Sequence, residues 1–292
     1  MTRLHLVDGT YELFRAHFSR RPAHVVAGRD LKATVGLASS LLALLKDPEE
    51  AVTHLAVAFD NPIRSVRNDW FAGYKGDDGV PPELRSQFDL AEEATRALGV
   101  VVWSMDRYEA DDALATAAAR FGGEVDQVRI LTPDKDLGQS IRGERVVQVD
   151  RLRQKVIDEA ALRRLRGFGP ESVPDWLALV GDDADGIPGV AGFGDRTAAT
   201  LLAVHPHLEA IPANAREWPP GIRGADRLAH TLAAERPQAL LYRRLATLIT
   251  DVPLAESLEQ LRWTGVPHAL FGAWCDRLEV DSMRDRSHRW RE

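Results

Sequence analysis

Nine carboxylates stand where apolar runs of this chain give out or helical runs begin: Asp8, Asp60, Glu109, Asp111, Asp112, Asp134, Asp136, Asp182 and Asp185. Carboxylate oxygens with no Cys or His at zinc spacing suit hard divalent ions such as Mg²⁺ or Mn²⁺, which bind through a few carboxylates and keep several waters. The chemistry such a set serves most directly is phosphoryl transfer. In Tyr108-Glu109-Ala110-Asp111-Asp112, three acids crowd the head of a helix, and the helix dipole offsets their repulsion only in part. An N-cap needs only one of them, so this segment reads as metal-ligating, with Glu109 and Asp112 on one face at i and i+3. Asp134-Lys135-Asp136 is either an Asx turn or a pair of ligands whose alternate side chains point the same way along an extended backbone. Gly181 to Gly186 superficially resembles a calcium loop. It lacks that loop's Gly at the sixth position from Asp182 and its Glu at the twelfth, so it reads as a helix-end cluster contributing Asp182 and Asp185.

Two further segments carry binding chemistry. Gly189-Val190-Ala191-Gly192-Phe193-Gly194 precedes a helix expected over Asp195 to Ala203. It is either an interhelical turn plugged by Phe193 or a backbone cradle offering N–H groups to a phosphate at a helix N-terminus. Tyr74-Lys75, with Arg67 before and the loose stretch Gly76 to Pro82 after, either stacks a base and holds a phosphate or is solvated loop. The nine histidines are scattered without metal spacing and Trp176 sits in a helical apolar pattern, so they read as surface or core residues.

The elements that position these groups follow from periodicity. Arg3 to Val7, Leu55 to Phe59, Val100 to Trp103, Val128 to Leu131 and Val146 to Val149 are short apolar or β-branched runs of the kind buried in a parallel sheet. Helical patterns over Thr34 to Lys46, Glu83 to Leu98 and Asp111 to Phe121 alternate with them, which makes an α/β unit. Ligands of such sheets bind beyond the carboxyl ends of the strands, where Asp8, Asp60 and Asp134 fall. From about Glu159 the strand signal fades into helical segments punctuated by Gly and Pro. Residues 1–158 are therefore expected to form the α/β core and 159–292 a mostly helical region. The last nine residues, with four Arg and a Trp, read as a frayed tail or a minor phosphate contact.

Composition sets the outer limits. With 292 residues, 45% hydrophobic, the chain can bury a substantial core, and its single Cys275 excludes an internal disulfide or thiolate cluster. No run of about 18 apolar residues argues for a membrane span, and the chain is expected to be cytoplasmic. The net charge of −7 argues against a nucleic-acid partner until the nine clustered acids are set aside. That leaves 35 of the 44 acidic residues against 37 basic ones, so net charge decides little.

Taken in order, VDG at Asp8, FD at Asp60, YEADD at Asp111, DKD at Asp134, GDxxD at Asp182 and GVxGxG at Gly189 resemble the bacterial and phage 5′-3′ exonucleases (flap endonucleases). That family includes the 5′-nuclease domain of DNA polymerase I; the likeness covers about residues 3 to 275 and looks like a stand-alone form. The resemblance implies a PIN-like nuclease core with a mainly parallel sheet, then a helix–three-turn–helix that grips duplex DNA through the backbone of Gly189, Val190, Gly192 and Gly194, often with a bound K⁺. It implies two divalent ions, Mg²⁺ or Mn²⁺. Asp8, Asp60, Glu109 and Asp111 would hold one, Asp134, Asp136, Asp182 and Asp185 the other, with Asp112 between. Lys75 matches the lysine at the scissile phosphate, Tyr74 the aromatic at the foot of the helical arch, and Arg67 joins them as a candidate catalytic cation. The implied reaction is in-line attack by metal-activated water on DNA at 5′ flaps, nicks and 5′ ends, giving 5′-phosphates, with roles in replication and repair and no obligate protein partner. Asp78 departs from the family's Tyr-Lys-x-x-Arg, and Gly186 from its usual Asn, which would loosen the second metal's outer shell. The alternative is a catalytically weak DNA-binding module of the same fold. A haloacid-dehalogenase-like phosphatase, suggested by Asp8-Gly9-Thr10, is opposed by Leu6 in the nucleophile's place. A short toxin-like ribonuclease of the PIN fold fits neither the length nor the Gly-rich turn.

Overall fold

A computed structural model describes residues 1–292, which fold as two compact units. The first comprises residues 1–64, 77–132 and 250–292, and the second residues 65–76 and 133–249. The chain therefore re-enters the first unit after leaving it, a division that a linear boundary at 158/159 does not capture.

In the first unit, strands β1 (Arg3–Asp8), β2 (His54–Asp60), β3 (Val101–Met105) and β4 (Gln127–Leu131) lie parallel in the order β3-β2-β1-β4. Leu6 is aligned with Ala56 on one side and Ile130 on the other. Leu4, Leu6, Val7, Leu55, Val57 and Phe59 are all buried. Helices cover the sheet, so the strands are apolar on both faces and read as continuous runs rather than alternating ones. Helix Lys32–Lys46 contributes Leu37, Leu41 and Leu44 to that core.

The single helix expected over Glu83 to Leu98 is two helices, Pro82–Arg85 and Phe88–Ala97. The break has a cause in Gln87, which is buried. Its Oε1 accepts from the Thr34 N–H at 3.1 Å, satisfying an early amide of helix Lys32–Lys46, and its Nε2 donates to the Asp30 and Glu83 carbonyls at 3.0 Å each. The C-terminal tail is not frayed. Trp290–Arg291 pairs in parallel with Val266–Pro267, Trp290 packs 6.2 Å from Phe271, and Arg286 donates to Ser39 Oγ at 3.0 Å.

In the second unit, β5 (Val146–Asp150) pairs antiparallel with β6 (Lys155–Ile157), a strand too short and too exposed to stand out in the sequence. The rest is helical around Phe168, Trp176, Leu177, Leu179, Leu201, Leu208 and Leu232. Helix Glu159–Arg166 is capped by Asp158, which accepts from the Ala161 N–H at 2.6 Å, and is closed by Gly167 at φ +84°. Helix Val173–Val180 packs on helix Ala225–Ala246, and helix Asp195–Leu202 follows the Gly-rich turn. No helix is long and apolar enough to cross a membrane.

Candidate metal centre

In the first unit, carboxylates stand at the carboxyl ends of β1 and β2 and at the head of helix Ala110–Phe121. Asp8 is buried and caps helix Gly9–His17 through Oδ1, which accepts from the Tyr11 N–H at 2.8 Å. Its Oδ2 accepts from Thr132 Oγ at 3.0 Å. Asp60 Oδ1 accepts from the Ala110 N–H at 2.8 Å, and its own N–H donates to Thr10 Oγ at 2.8 Å. Asp60 is thus fastened both to the helix that carries the acidic run and to the helix that Asp8 caps.

Glu109 and Asp112 form a reciprocal capping box, with the Glu109 N–H donating to Asp112 Oδ2 at 3.0 Å. Capping thus takes two residues of the acidic run, not the one expected from its spacing. Asp112 is fully buried in that role, whereas Asp111, the next residue around the helix, is partly exposed.

In the second unit, Asp136, Asp182 and Asp185 are buried and bring carboxylate oxygens within 4.8 Å of one another. Asp182 and Asp185 are held by a tight loop. Helix Val173–Val180 ends at Gly181, φ +86°, and Asp182 and Ile187 then exchange backbone hydrogen bonds of 2.7 and 2.8 Å. Lys135 Nζ lies 2.8 Å from Asp182 Oδ2, and Lys75 Nζ lies 2.9 Å from Asp185 Oδ1. Asp136 Oδ1 is buried with no hydrogen-bond partner, a costly state for a carboxylate oxygen unless a cation completes it. Burial, with the charges of Asp134, Asp185 and Asp182 added, pushes the Asp136 carboxyl well above its ordinary value against the opposing pull of Lys75. Burial lowers the Lys135 ammonium, but its hydrogen bond to Asp182 and the surrounding carboxylates outweigh that and raise it. An oxygen-only donor set with an unsatisfied buried oxygen fits a hard divalent ion.

Asp134 lies beside this trio, and its charge acts on Asp136 ahead of those of Asp185 and Asp182. It is exposed, and its Oδ1 accepts from the Asp136 N–H at 3.0 Å at the start of a 3₁₀ helix, Lys135–Ser140. Asp134 thus makes the Asx turn through one oxygen, while Asp136 joins the cluster. The backbone does not stay extended, so the side chains do not alternate as expected.

Arg67 is corrected. It is fully buried, its Nε donating to the Leu245 carbonyl at 2.7 Å and an Nη to that of Thr247 at 3.0 Å, at the end of helix Ala225–Ala246. A buried guanidinium spent on backbone carbonyls is not available to a phosphate. Tyr74 is likewise no open stacking platform, because its ring is buried in the core of this unit and its hydroxyl faces Asp185 Oδ2 at 3.5 Å. Lys75 is positioned twice, by its ammonium and by its N–H, which donates to the Asp185 carbonyl at 3.0 Å. That second bond depends on Gly186. It has φ +73°, and a Cβ there would collide with the Gly73 carbonyl oxygen, so Gly at this position tightens the loop.

In the Gly-rich turn, Gly189 and Gly192 take φ +74° and +84°. Val190 is buried and its N–H donates to the Leu179 carbonyl at 2.9 Å, so Val190 anchors the turn. The Ala191 N–H donates to Glu235 at 3.3 Å, and Phe193 is the buried plug, 6.4 Å from Trp218. Sequence reasoning missed Lys135, Thr132 and Thr10. The first was visible only as the middle of a D-x-D, and nothing local marks a hydroxyl that will meet a carboxylate from another strand.

Residues 3–166 match the family described as 5′-3′ exonuclease, N-terminal resolvase-like domain, and residues 168–269 that described as 5′-3′ exonuclease, C-terminal SAM fold. A 5′-3′ exonuclease of Aquifex aeolicus (strain VF5) is 30% identical over 267 residues, 90% of this chain and 87% of that protein. DNA polymerase I of Bacillus caldotenax is 35% identical over 269 residues, 90% of this chain but 30% of that protein. The chain thus spans about 30% of the length of the polymerase relatives it matches. Among solved structures, T5 5′-exonuclease with zinc ions bound superposes with a TM-score of 0.68 at 18% identity, covering 94% of this chain and 99% of that one. The catalytic core of Rad2 in complex with DNA substrate superposes at 0.58 with 14% identity, covering 94% and 86%. At these identities the superpositions show the fold: an α/β core with a mainly parallel sheet and a helical C-terminal portion.

Proposed function

Since the chain belongs to the 5′-3′ exonuclease family, we propose that it is a divalent-metal-dependent nuclease hydrolysing DNA phosphodiesters at 5′ ends, nicks and 5′ flaps to leave 5′-phosphates. The observation that carries this reading is the buried trio Asp136, Asp182 and Asp185, with an Asp136 oxygen that nothing in the protein satisfies. These three, with Asp134 beside them, would hold one ion, Mg²⁺ or Mn²⁺. Asp8, Asp60, Glu109 and Asp111 would hold another, with Asp112 orienting Glu109 through the capping box. Bound there, such ions supply a water of lowered pKa and offset the charge that develops on the phosphate.

The remaining roles belong to the chain itself. Lys75, held by the Asp185 carbonyl and carboxylate, presents a cation to the scissile phosphate, and Tyr74 braces it from the core side. Thr132 and Thr10 hold Asp8 and Asp60 in place. The turn Gly189 to Gly194, anchored by Val190, offers the amides of Gly192 and Gly194 to a duplex backbone phosphate, with K⁺ bound alongside. Cytoplasmic work in replication and repair accords with the polymerase I relatives, and the reading requires no protein partner.

Digestion of end-labelled 5′-flap, nicked and single-stranded DNA with Mg²⁺ or with EDTA tests the proposal. Asp111→Asn should lose cleavage by several powers of ten while retaining flap binding and circular dichroism. Metal-independent cleavage, or full activity in that variant, would remove the metal-nuclease reading. Flap binding without any cleavage by the unaltered chain would leave the catalytically weak module.

A further inference from the structure

Asp182 and Asp185 each face a lysine, but the two lysines are held differently. Lys75 is tied through its backbone to the Asp185 carbonyl. Lys135 reaches Asp182 only with its ammonium, at 2.8 Å, and its side chain remains 35% exposed. The Lys135 ammonium lies 5.9 Å from the ring centroid of Trp176, which is itself buried. Trp176 is locked in turn, since its Nε1 donates to Asp195 Oδ1 at 2.8 Å and the Arg166 guanidinium stacks 4.4 Å from its ring. Asp195 is the first residue of the helix that follows the Gly-rich turn. Beside this arrangement, Asp136 Oδ1 is buried and unpartnered.

We propose that Lys135 is an internal counter-ion which competes with the divalent metal for Asp182 and so sets the metal affinity of the Asp136–Asp182–Asp185 cluster. The proposal rests on reading that cluster as a metal site. An ion held by this cluster would draw on the oxygens of Asp182, one of which Lys135 occupies, and the ammonium adds a repelling charge a few ångströms away. Without metal, Lys135 offsets part of the repulsion among three buried carboxylates. With metal, its ammonium can leave Asp182 and keep a cation–π partner in Trp176. Asp182 therefore trades one cation for another, which lowers the net gain from binding the second.

Calorimetric titration of the full chain with Mn²⁺, without DNA, tests this. The ion concerned is identified as the one whose binding Asp185→Asn abolishes. Lys135→Met should bind that ion about tenfold more tightly, because it removes both the competitor and its charge, and Lys135→Arg should return the affinity towards that of the unaltered chain. In EDTA, Lys135→Met should melt at lower temperature than the unaltered chain and gain more on adding Mn²⁺. Equal or weaker Mn²⁺ affinity in Lys135→Met overturns the proposal while leaving the metal site standing. Absence of any Asp185-dependent ion in the unaltered chain overturns both. Should Lys135→Met fail to fold, tryptophan emission decides: Mg²⁺ should change it in the unaltered chain and not in Trp176→Phe, and an identical response in the two overturns the proposal.

Discussion

Replacing Asp136 by Asn should stabilise the metal-free protein while removing its response to metal. Asp136 is 5% exposed, and its carboxylate lies within 4.8 Å of those of Asp182 and Asp185. At that separation and an effective dielectric of about 20, each like-charge pair costs roughly 3 kcal/mol, falling to about 1 kcal/mol in a watery environment. Two factors reduce what neutralisation recovers. Lys75 already offsets Asp185, and Lys135 already offsets Asp182. A net gain of about 1–2 kcal/mol remains, which for a chain of this size raises Tm by roughly 2–3 °C. Asn keeps the shape and can donate to a neighbouring carboxylate, so no cavity arises. Thermal unfolding in EDTA reads the gain, and the same scan with Mg²⁺ reads the loss. Saturating Mg²⁺ at about 100 times Kd should stabilise the unaltered chain by about 2.7 kcal/mol, and the contribution from this cluster should vanish in Asp136→Asn. Cleavage should fall with it. If the variant is less stable in EDTA, or keeps its full Mg²⁺ shift, the carboxylates of this trio are not a strained site awaiting an ion.

Arg67→Met should cost about 2–4 kcal/mol by stranding the Leu245 and Thr247 carbonyls, yet leave the salt dependence of DNA binding unchanged; a shallower slope would return Arg67 to the phosphate path. Gly186→Asn should lower stability by about 1–3 kcal/mol and reduce kcat far more than DNA affinity, because the new Cβ displaces the Gly73 carbonyl and with it Lys75, and unchanged kcat and Tm would refute that coupling. Glu50, 15% exposed, has its pKa held down to about 2: burial raises it, but hydrogen bonds from His5 and Arg129 prevail. Its stabilisation is therefore complete above its ordinary value of 4.5 and is lost as pH falls from there through about 2, amounting to about 3 kcal/mol at most. Chemical denaturation from pH 7 to pH 2 should show a smaller acid loss in Glu50→Gln, and parallel profiles would place the acid sensitivity elsewhere.

Much of this protein is legible in its amino-acid sequence, wherever one local rule has no rival. Strands β1 to β4 stand out because a sheet covered on both faces demands unbroken apolar runs, and residues such as Leu6 and Val57 have nowhere else to go. The same rule places Asp8 and Asp60 at strand ends, where acids are conspicuous against the apolar stretch before them. Three-dimensional packing decides what sequence distance hides. The helix pattern over Glu83 to Leu98 breaks because Gln87 is taken by Thr34 and by the carbonyls of Asp30 and Glu83, and β6 exists because it pairs with β5. Arg67 looks like a phosphate contact until the carbonyls of Leu245 and Thr247, nearly 180 residues away, claim it. Lys135 looks like filler between two acids until Asp182 and Trp176 give it a place. Side-chain type and local periodicity determine which groups can do chemistry. Whether a charged group faces a ligand or is already spent on a distant partner is a property of the tertiary structure, because burial and hydrogen bonding between distant segments leave no local trace.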